Sequence, residues 1–212
     1  MKKTWVAFLF AVACTSVAQA SVTTYTDRTT WNTAVPVSST QTFESFAADT
    51  SFATVPLNVG AFTLAAVGTA EAGTDLVDVS PFINAASPAA LFGNAFVTIF
   101  VQDPLAADLI FATPQNAFFA DFYAAGNGSQ LDLTLSFEGG GTADILVPGT
   151  GSSQQSFGFI STTAVTSIRF NNSSNDGFFI DNISVPSAAV PEPASAGLLL
   201  AGIVGLGWRR RR

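Results

Sequence analysis

The sequence predicts an all-β, jelly-roll-like β-sandwich, and three observations predict it. Between residues 21 and 188 apolar and polar residues alternate with a period of two, as in Leu131, Leu133, Leu135 and Phe137 set against Asp132, Thr134 and Ser136. Gly- and Asn-rich breaks punctuate the runs at Gly126-Asn127-Gly128, Gly139-Gly140-Gly141, Gly149-Thr150-Gly151 and Asn175-Asp176-Gly177. No long segment of helical period interrupts them. Many short strands at this spacing argue for a sandwich or jelly roll. Residues 21–188 are numerous enough to bury one large core without disulfide or metal staples.

The chain opens on a segment of another kind. Lys2 and Lys3 form a positive start, residues 5–12 an apolar run, and Ala18-Gln19-Ala20 a small-x-small site. That is a secretory signal peptide, too short to span a bilayer, read by the Sec machinery and cut by signal peptidase after Ala20. The competing reading makes Cys14 the acylated residue of a lipoprotein, but the leucine usual three positions before it is missing. Cleavage after Ala20 removes the only cysteine, so the mature chain needs no oxidative folding.

One short helix is predicted next, with Asp27 as N-cap and Trp31 and Val35 one turn apart. Strand patterns follow at 97–101, 118–123, 131–137, 145–147, 168–170 and 179–185. A Ser/Ala/Pro linker runs from Pro186 to Pro193. Residues 194–208 carry no charge, and as a helix at ~1.5 Å per residue they reach about 22 Å, short of a ~30 Å hydrocarbon core. Arg209, Arg210, Arg211 and Arg212 follow and stay on the cytoplasmic side. The segment is therefore a transient inner-membrane insertion or a short permanent anchor.

The order Val190-Pro191-Glu192-Pro193, apolar helix, arginine cluster resembles the PEP-CTERM sorting signal of Gram-negative bacteria, over residues 189–212. The resemblance implies recognition by an exosortase, a membrane transpeptidase that cuts near Pro-Glu-Pro, and a cell that makes an exopolysaccharide matrix. The chain thus divides into a signal peptide (1–20), a β-sandwich ectodomain (21–188) and a sorting signal (189–212). Pro191 and Pro193 give the cut a physical basis, because each disfavours helix and leaves an extended strand to grip. A weaker resemblance lies in the ectodomain. Tyr25-Thr26-Asp27-Arg28, Thr42-Phe43-Glu44-Ser45-Phe46 and the closing 177–185 are similar to ectodomains that accompany this signal. The close, Phe179-Ile180-Asp181-Asn182-Ile183-Ser184-Val185, also resembles the last strand of jelly-roll carbohydrate-binding modules.

Charge narrows the function. The 212 residues include 8 basic and 15 acidic residues, a net charge of −7 and no histidine. Residues 21–190 hold only Arg28 and Arg169 against 14 acids, a balance of −12. Such a surface is a poor partner for nucleic acid. Without histidine or a mature cysteine, no ordinary Ser or Cys triad can form. A glycosidase needs only two carboxylates, but no alternating E-x-D-x-E strand is present. The chain is read as non-enzymatic.

Two sites remain. Strict alternation places Asp181 on one face with Phe179, Ile183 and Val185, and a carboxylate on an apolar face needs a partner. In a domain nearly without cations, Ca2+ is the natural one. The alternative is a bulge, or backbone N–H groups that satisfy the carboxylate. The carbohydrate-binding-module resemblance implies that an acid of the first core strand joins the last-strand aspartate at a structural Ca2+, and Glu44 holds the matching place. Among the few aromatics suited to sugar stacking, Tyr123 is the candidate platform, whereas Trp31 reads as packing. These readings give an exported, structural or adhesive component of the cell surface or exopolysaccharide matrix. The second reading is a lectin-like module, and a glycoside hydrolase comes last.

Overall fold

The computed structural model describes residues 20–36, 38–68, 76–78, 95–101, 106–124, 131–149, 153–171 and 176–187. The signal peptide expected at residues 1–20, with Ala18 but apart from Ala20 itself, and the whole sorting signal, with Val190, Pro191, Glu192, Pro193 and Arg209 to Arg212, lie outside the described residues. Among those described, no helix is long and apolar enough to cross a membrane.

The strands are β1 (Val22–Tyr25), β2 (Ser38–Gln41), β3 (Thr50–Ser51), β4 (Leu57–Asn58), β5 (Phe62–Val67), β6 (Leu76–Asp78), β7 (Phe96–Val101), β8 (Ala106–Tyr123), β9 (Leu131–Phe137), β10 (Thr142–Val147), β11 (Gln154–Asn171) and β12 (Asp176–Pro186), with one helix, α1 (Arg28–Ala34). All pairings are antiparallel, and the twelve strands form one continuous hydrogen-bonded sheet.

That sheet folds into two layers because two strands are far longer than usual. β8 and β11 have 18 residues each, which would run about 60 Å if straight, against ~20 Å for an ordinary strand. They bend instead, and their mutual register breaks between Ile160 and Val165 and again before Ser167. The first half of β11 and the second half of β8 lie in a layer with β1 and β12. The other halves lie in a layer with β10, β9, β5 and β4. On its far edge, β12 pairs with β7 along its first half and with β2 along its second.

Alternation fills the space between. Leu131, Leu133, Leu135, Leu109, Ile168 and Phe170 from one layer meet Phe118, Phe122, Phe159, Phe178 and Ile180 from the other in a single core. The Phe170 and Phe178 rings sit 5.6 Å apart at the junction. Burying each such side chain contributes roughly 1.5–3 kcal/mol.

Helix α1 covers the outer face of the first layer. Seven residues are too few to hold a helix alone. Asp27 caps it, as expected, and its Oδ1 accepts from the Thr30 N–H at 2.7 Å and the Thr30 hydroxyl at 2.6 Å. Trp31 then buries completely on Phe119, with centroids 5.4 Å apart, and its Nε1 donates to the Phe159 carbonyl at 3.3 Å. The expectation of Trp31 as packing holds, and this contact anchors the helix.

Candidate functional site

The strand β8 is buried on both sides near its end, and its outer face carries an acid. Asp121 is 6% exposed yet well satisfied. It forms an ion pair with Arg28 Nη2 at 3.1 Å and accepts from the Ser156 hydroxyl at 2.6 Å and Asn182 Nδ2 at 3.0 Å. Arg28 is fixed in turn. Its Nη1 donates to Ser184 Oγ at 2.8 Å, its Nη2 to the Asn182 carbonyl at 3.1 Å, and its guanidinium lies 4.6 Å over the Phe119 ring. Ser184 Oγ also bonds Thr40 Oγ1 at 2.8 Å, tying β2 into the network.

A bulge in β12 completes this arrangement. Asp181 pairs with Asp121 and Ser184 with Phe119, so Asn182 and Ile183 together oppose Ala120. Asn182 carries the strain with a φ of 51°, a left-handed conformation that Asn tolerates better than most side chains. The extra residue corrects the strict alternation read from sequence. Phe179 packs outside against Phe96 and Tyr123, while Ile183 and Val185 return to the main core with Phe178 and Ile180.

Asp181 is fully buried, and neither carboxylate oxygen has a hydrogen-bond partner. Burial pushes its carboxyl up to about 8. The neighbouring Asp121 and Glu44 carboxylates push the same way, whereas the Asn182 N–H and Arg28 oppose them. The Asn182 N–H lies close to the carboxyl but outside hydrogen-bond geometry.

The fold brings Glu44 within electrostatic reach of Asp181. Its neighbour Phe43 turns at a φ of 59° and buries its ring, and Glu44 Oε1 accepts from the Ala95 N–H at 3.4 Å. The Asp181 carboxylate therefore admits two solutions, a bound proton or a hard cation. Orphaned oxygens facing further carboxylates suit Ca2+, which takes 6–8 oxygens. Among the described residues, however, no three His, Cys, Asp or Glu side chains converge as a metal cluster. Asp181 and Glu44 would hold such an ion only with backbone carbonyls completing the shell.

Tyr123 does not present a stacking platform. Its ring is 7% exposed and packs 5.9 Å from Phe179 in a small cluster with Phe96. The strand's outer face here is covered, which local sequence around Tyr123 does not reveal. Sequence reasoning also missed the Arg28–Asp121 pair, which joins residues 93 positions apart. The scarcity of cations was the available signal, since a lone Arg in an acidic domain seeks a carboxylate. The other cation obeys the same rule. Arg169 binds Asp108 through both carboxylate oxygens, at 2.8 and 2.9 Å, on the outer face of the second layer.

Residues 189–212 match the PEP-CTERM protein-sorting motif. That motif indicates an exported, exosortase-processed protein on the cell surface. No curated protein matches the chain. Among solved structures, the K2 cleaved adhesin domain of Lys-gingipain (Kgp) is similar at 13% identity and a TM-score of 0.45, over 70% of this chain and 99% of that one. CBM35 from Cellvibrio japonicus Abf62 is similar at 19% identity and a TM-score of 0.35, over 60% and 94% of the two chains. TmCBM61 in complex with beta-1,4-galactotriose is similar at 15% identity and a TM-score of 0.35, over 57% and 86%. Likeness at this level says nothing of a ligand for this chain, and its β-sandwich stands on the strand pairing described above.

Proposed function

We propose that this chain is a non-enzymatic structural or adhesive protein of the cell surface, released by an exosortase into an exopolysaccharide matrix. The observation that carries the reading is a sorting motif at 189–212 that follows the β-sandwich in the chain. Export through Sec and signal peptidase, and a transient insertion of residues 194–208 in the inner membrane of a Gram-negative cell, complete the route. The work of the ectodomain is physical. A phenylalanine-filled core resists unfolding, and a balance of −12 over residues 21–190 keeps the surface hydrated and limits aggregation. A structural Ca2+ held by Asp181 and Glu44 would pin β12 to the segment after β2. It would neutralise charge at the buried carboxylate.

A catalytic role is disfavoured by the acids that β8 and β12 set side by side among the described residues. Asp121 and Asp181 are sealed from solvent, and Arg28 occupies the first. They cannot flank a scissile bond. A lectin-like role remains the second reading, favoured by a polar-rimmed groove on the sandwich edge.

Cell fractionation tests the sorting. With Pro191, Glu192 and Pro193 all changed to Ala, uncut protein should accumulate in the membrane fraction. Unchanged surface release of that variant would end the exosortase reading.

A further inference from the structure

A groove of about 540 Å³ opens where β1, α1, the turn after β9 and the bends of β8 and β11 meet. Its floor is apolar, built from Val35, Ala117 and Ile160, and its rim is polar, with Ser21, Asn116 and Glu138 among its residues. Internal bonds stiffen that rim. Asn116 Nδ2 donates to the Ser161 carbonyl at 3.1 Å, and buried Ser161 accepts at Oγ from the Thr163 N–H at 3.2 Å.

Ser21 is held there by two bonds. Its N–H donates to Thr162 Oγ1 at 3.0 Å, and its carbonyl accepts from the Thr162 N–H at 3.0 Å. Cleavage after Ala20 turns that same nitrogen into the α-amino group of the mature chain. An ammonium has three N–H donors, and Thr162 occupies one. Maturation thus adds a positive charge and free donors to a rim that already carries a carboxylate.

We propose that signal-peptide cleavage completes a binding site for a neutral saccharide in this groove. The Ser21 ammonium and the Glu138 carboxylate donate to and accept from sugar hydroxyls, and the Val35 and Ile160 floor packs the C–H face of the ring. The volume lies within the range of small-molecule sites, and an apolar floor with few placed polar groups is their usual chemistry. Charge selects the ligand class, since a balance of −12 over residues 21–190 repels an acidic polysaccharide. The site gives the matrix reading above a point of contact and rests on that reading for the kind of partner.

The test is an NMR and calorimetric titration of the mature protein, beginning at Ser21, with short neutral gluco-, manno- and galacto-oligosaccharides. The expected result is saturable binding by at least one, with amide shifts centred on Val22, Glu138 and Thr163. Acetylation of the Ser21 amine, and separately Glu138→Gln on its exposed turn, should each weaken binding about tenfold, as loss of a charged hydrogen bond does. The proposal is overturned if no oligosaccharide of the panel binds, or if neither change alters affinity. It is equally overturned by tighter binding of uronate oligosaccharides, or by shifts on another face such as that of Asp108 and Arg169. The last outcome would leave saccharide binding standing, and the fractionation experiment judges the sorting reading separately.

Discussion

Asp181 and Asp121 are direct register partners across β12 and β8, yet only Asp121 is paired. Arg28, Ser156 and Asn182 satisfy it, while both oxygens of Asp181 are buried without a hydrogen bond. Two like charges at adjacent positions in a low dielectric cannot both stay ionised cheaply. Arg28 sits against Asp121, whereas Asp181 is left to a proton or a cation.

Asp181 should make the cation-free protein less stable as pH rises. Its carboxyl titrates near 3.8 when unfolded and near 8 when folded. Between those values the folded chain holds a proton that the unfolded chain has released. Stability therefore falls through that window and is flat on either side, with a slope of at most about 1.4 kcal/mol per pH unit. Urea unfolding in chelator should show a higher midpoint at pH 5 than at pH 8, and Asp181→Asn should flatten the difference. An unchanged slope in that variant would assign the effect elsewhere.

Calcium should reverse the trend. An ion bound at the ionised carboxylate stabilises most where the proton has left, so the gain is larger at pH 8 than at pH 5. At a hundredfold excess over the dissociation constant the gain is about 2.7 kcal/mol, worth roughly 5–10 °C in a domain of this size. Asp181→Asn and Glu44→Gln should each remove most of it. A Tm indifferent to Ca2+ and to chelator at pH 8 would exclude the ion and leave the proton as the sole solution.

The sequence shows the parts of this site but not their arrangement. Alternation in Leu131 to Phe137 is legible because β9 buries one face only, and its pattern reads buried and half-buried in turn. Within β8 the stretch 118–123 reads as a strand by its continuous apolar run and not by alternation, because Ala117 to Tyr123 are buried on both faces and period two disappears there. The Asn182 bulge escapes for a related reason. One inserted residue reverses the face of everything after it, and only the pairing with Ala120 and Phe119 reveals the slip. Asp181 was identifiable because a carboxylate among apolar residues is anomalous wherever the chain turns. Tyr123 was misjudged because exposure depends on Phe96 and Phe179, which arrive from distant strands.

Removing Arg28 should destabilise the domain out of proportion to an exposed ion pair. Its side chain is 30% exposed while that of Asp121 is 9% exposed. The cost therefore falls between the ~1 kcal/mol of surface pairs and the 3–5 kcal/mol of buried ones, at about 2 kcal/mol. Arg28→Lys should recover little of this. A point charge cannot serve Asp121, Ser184 and the Asn182 carbonyl at once while stacking on Phe119. Chemical denaturation of Arg28→Ala and Arg28→Lys decides the matter, and full stability in the lysine variant would reduce the network to simple charge.

Gly158 should tolerate no side chain, and the reason is space instead of backbone freedom. It lies in β11, paired with Phe119 of β8 on one side and Tyr25 of β1 on the other. A Cβ there would collide with the Phe118 carbonyl and the Phe119 ring, and would lie 2.8 Å from the Phe119 Cα. The ring cannot simply withdraw, because Trp31 covers it at 5.4 Å and the Arg28 guanidinium rests over it at 4.6 Å. The carbonyl belongs to the β8–β11 pairing and is equally fixed. Gly158→Ala should therefore force β11 away from β8 or tip α1 off the sheet, at a cost of about 2–3 kcal/mol, as for overpacked cores. Trp31 fluorescence reports the second route, since a tipped helix exposes the indole to water and shifts its emission to the red. A Gly158→Ala protein with wild-type stability and unshifted emission would show that the contact between helix and sheet is looser than these distances state.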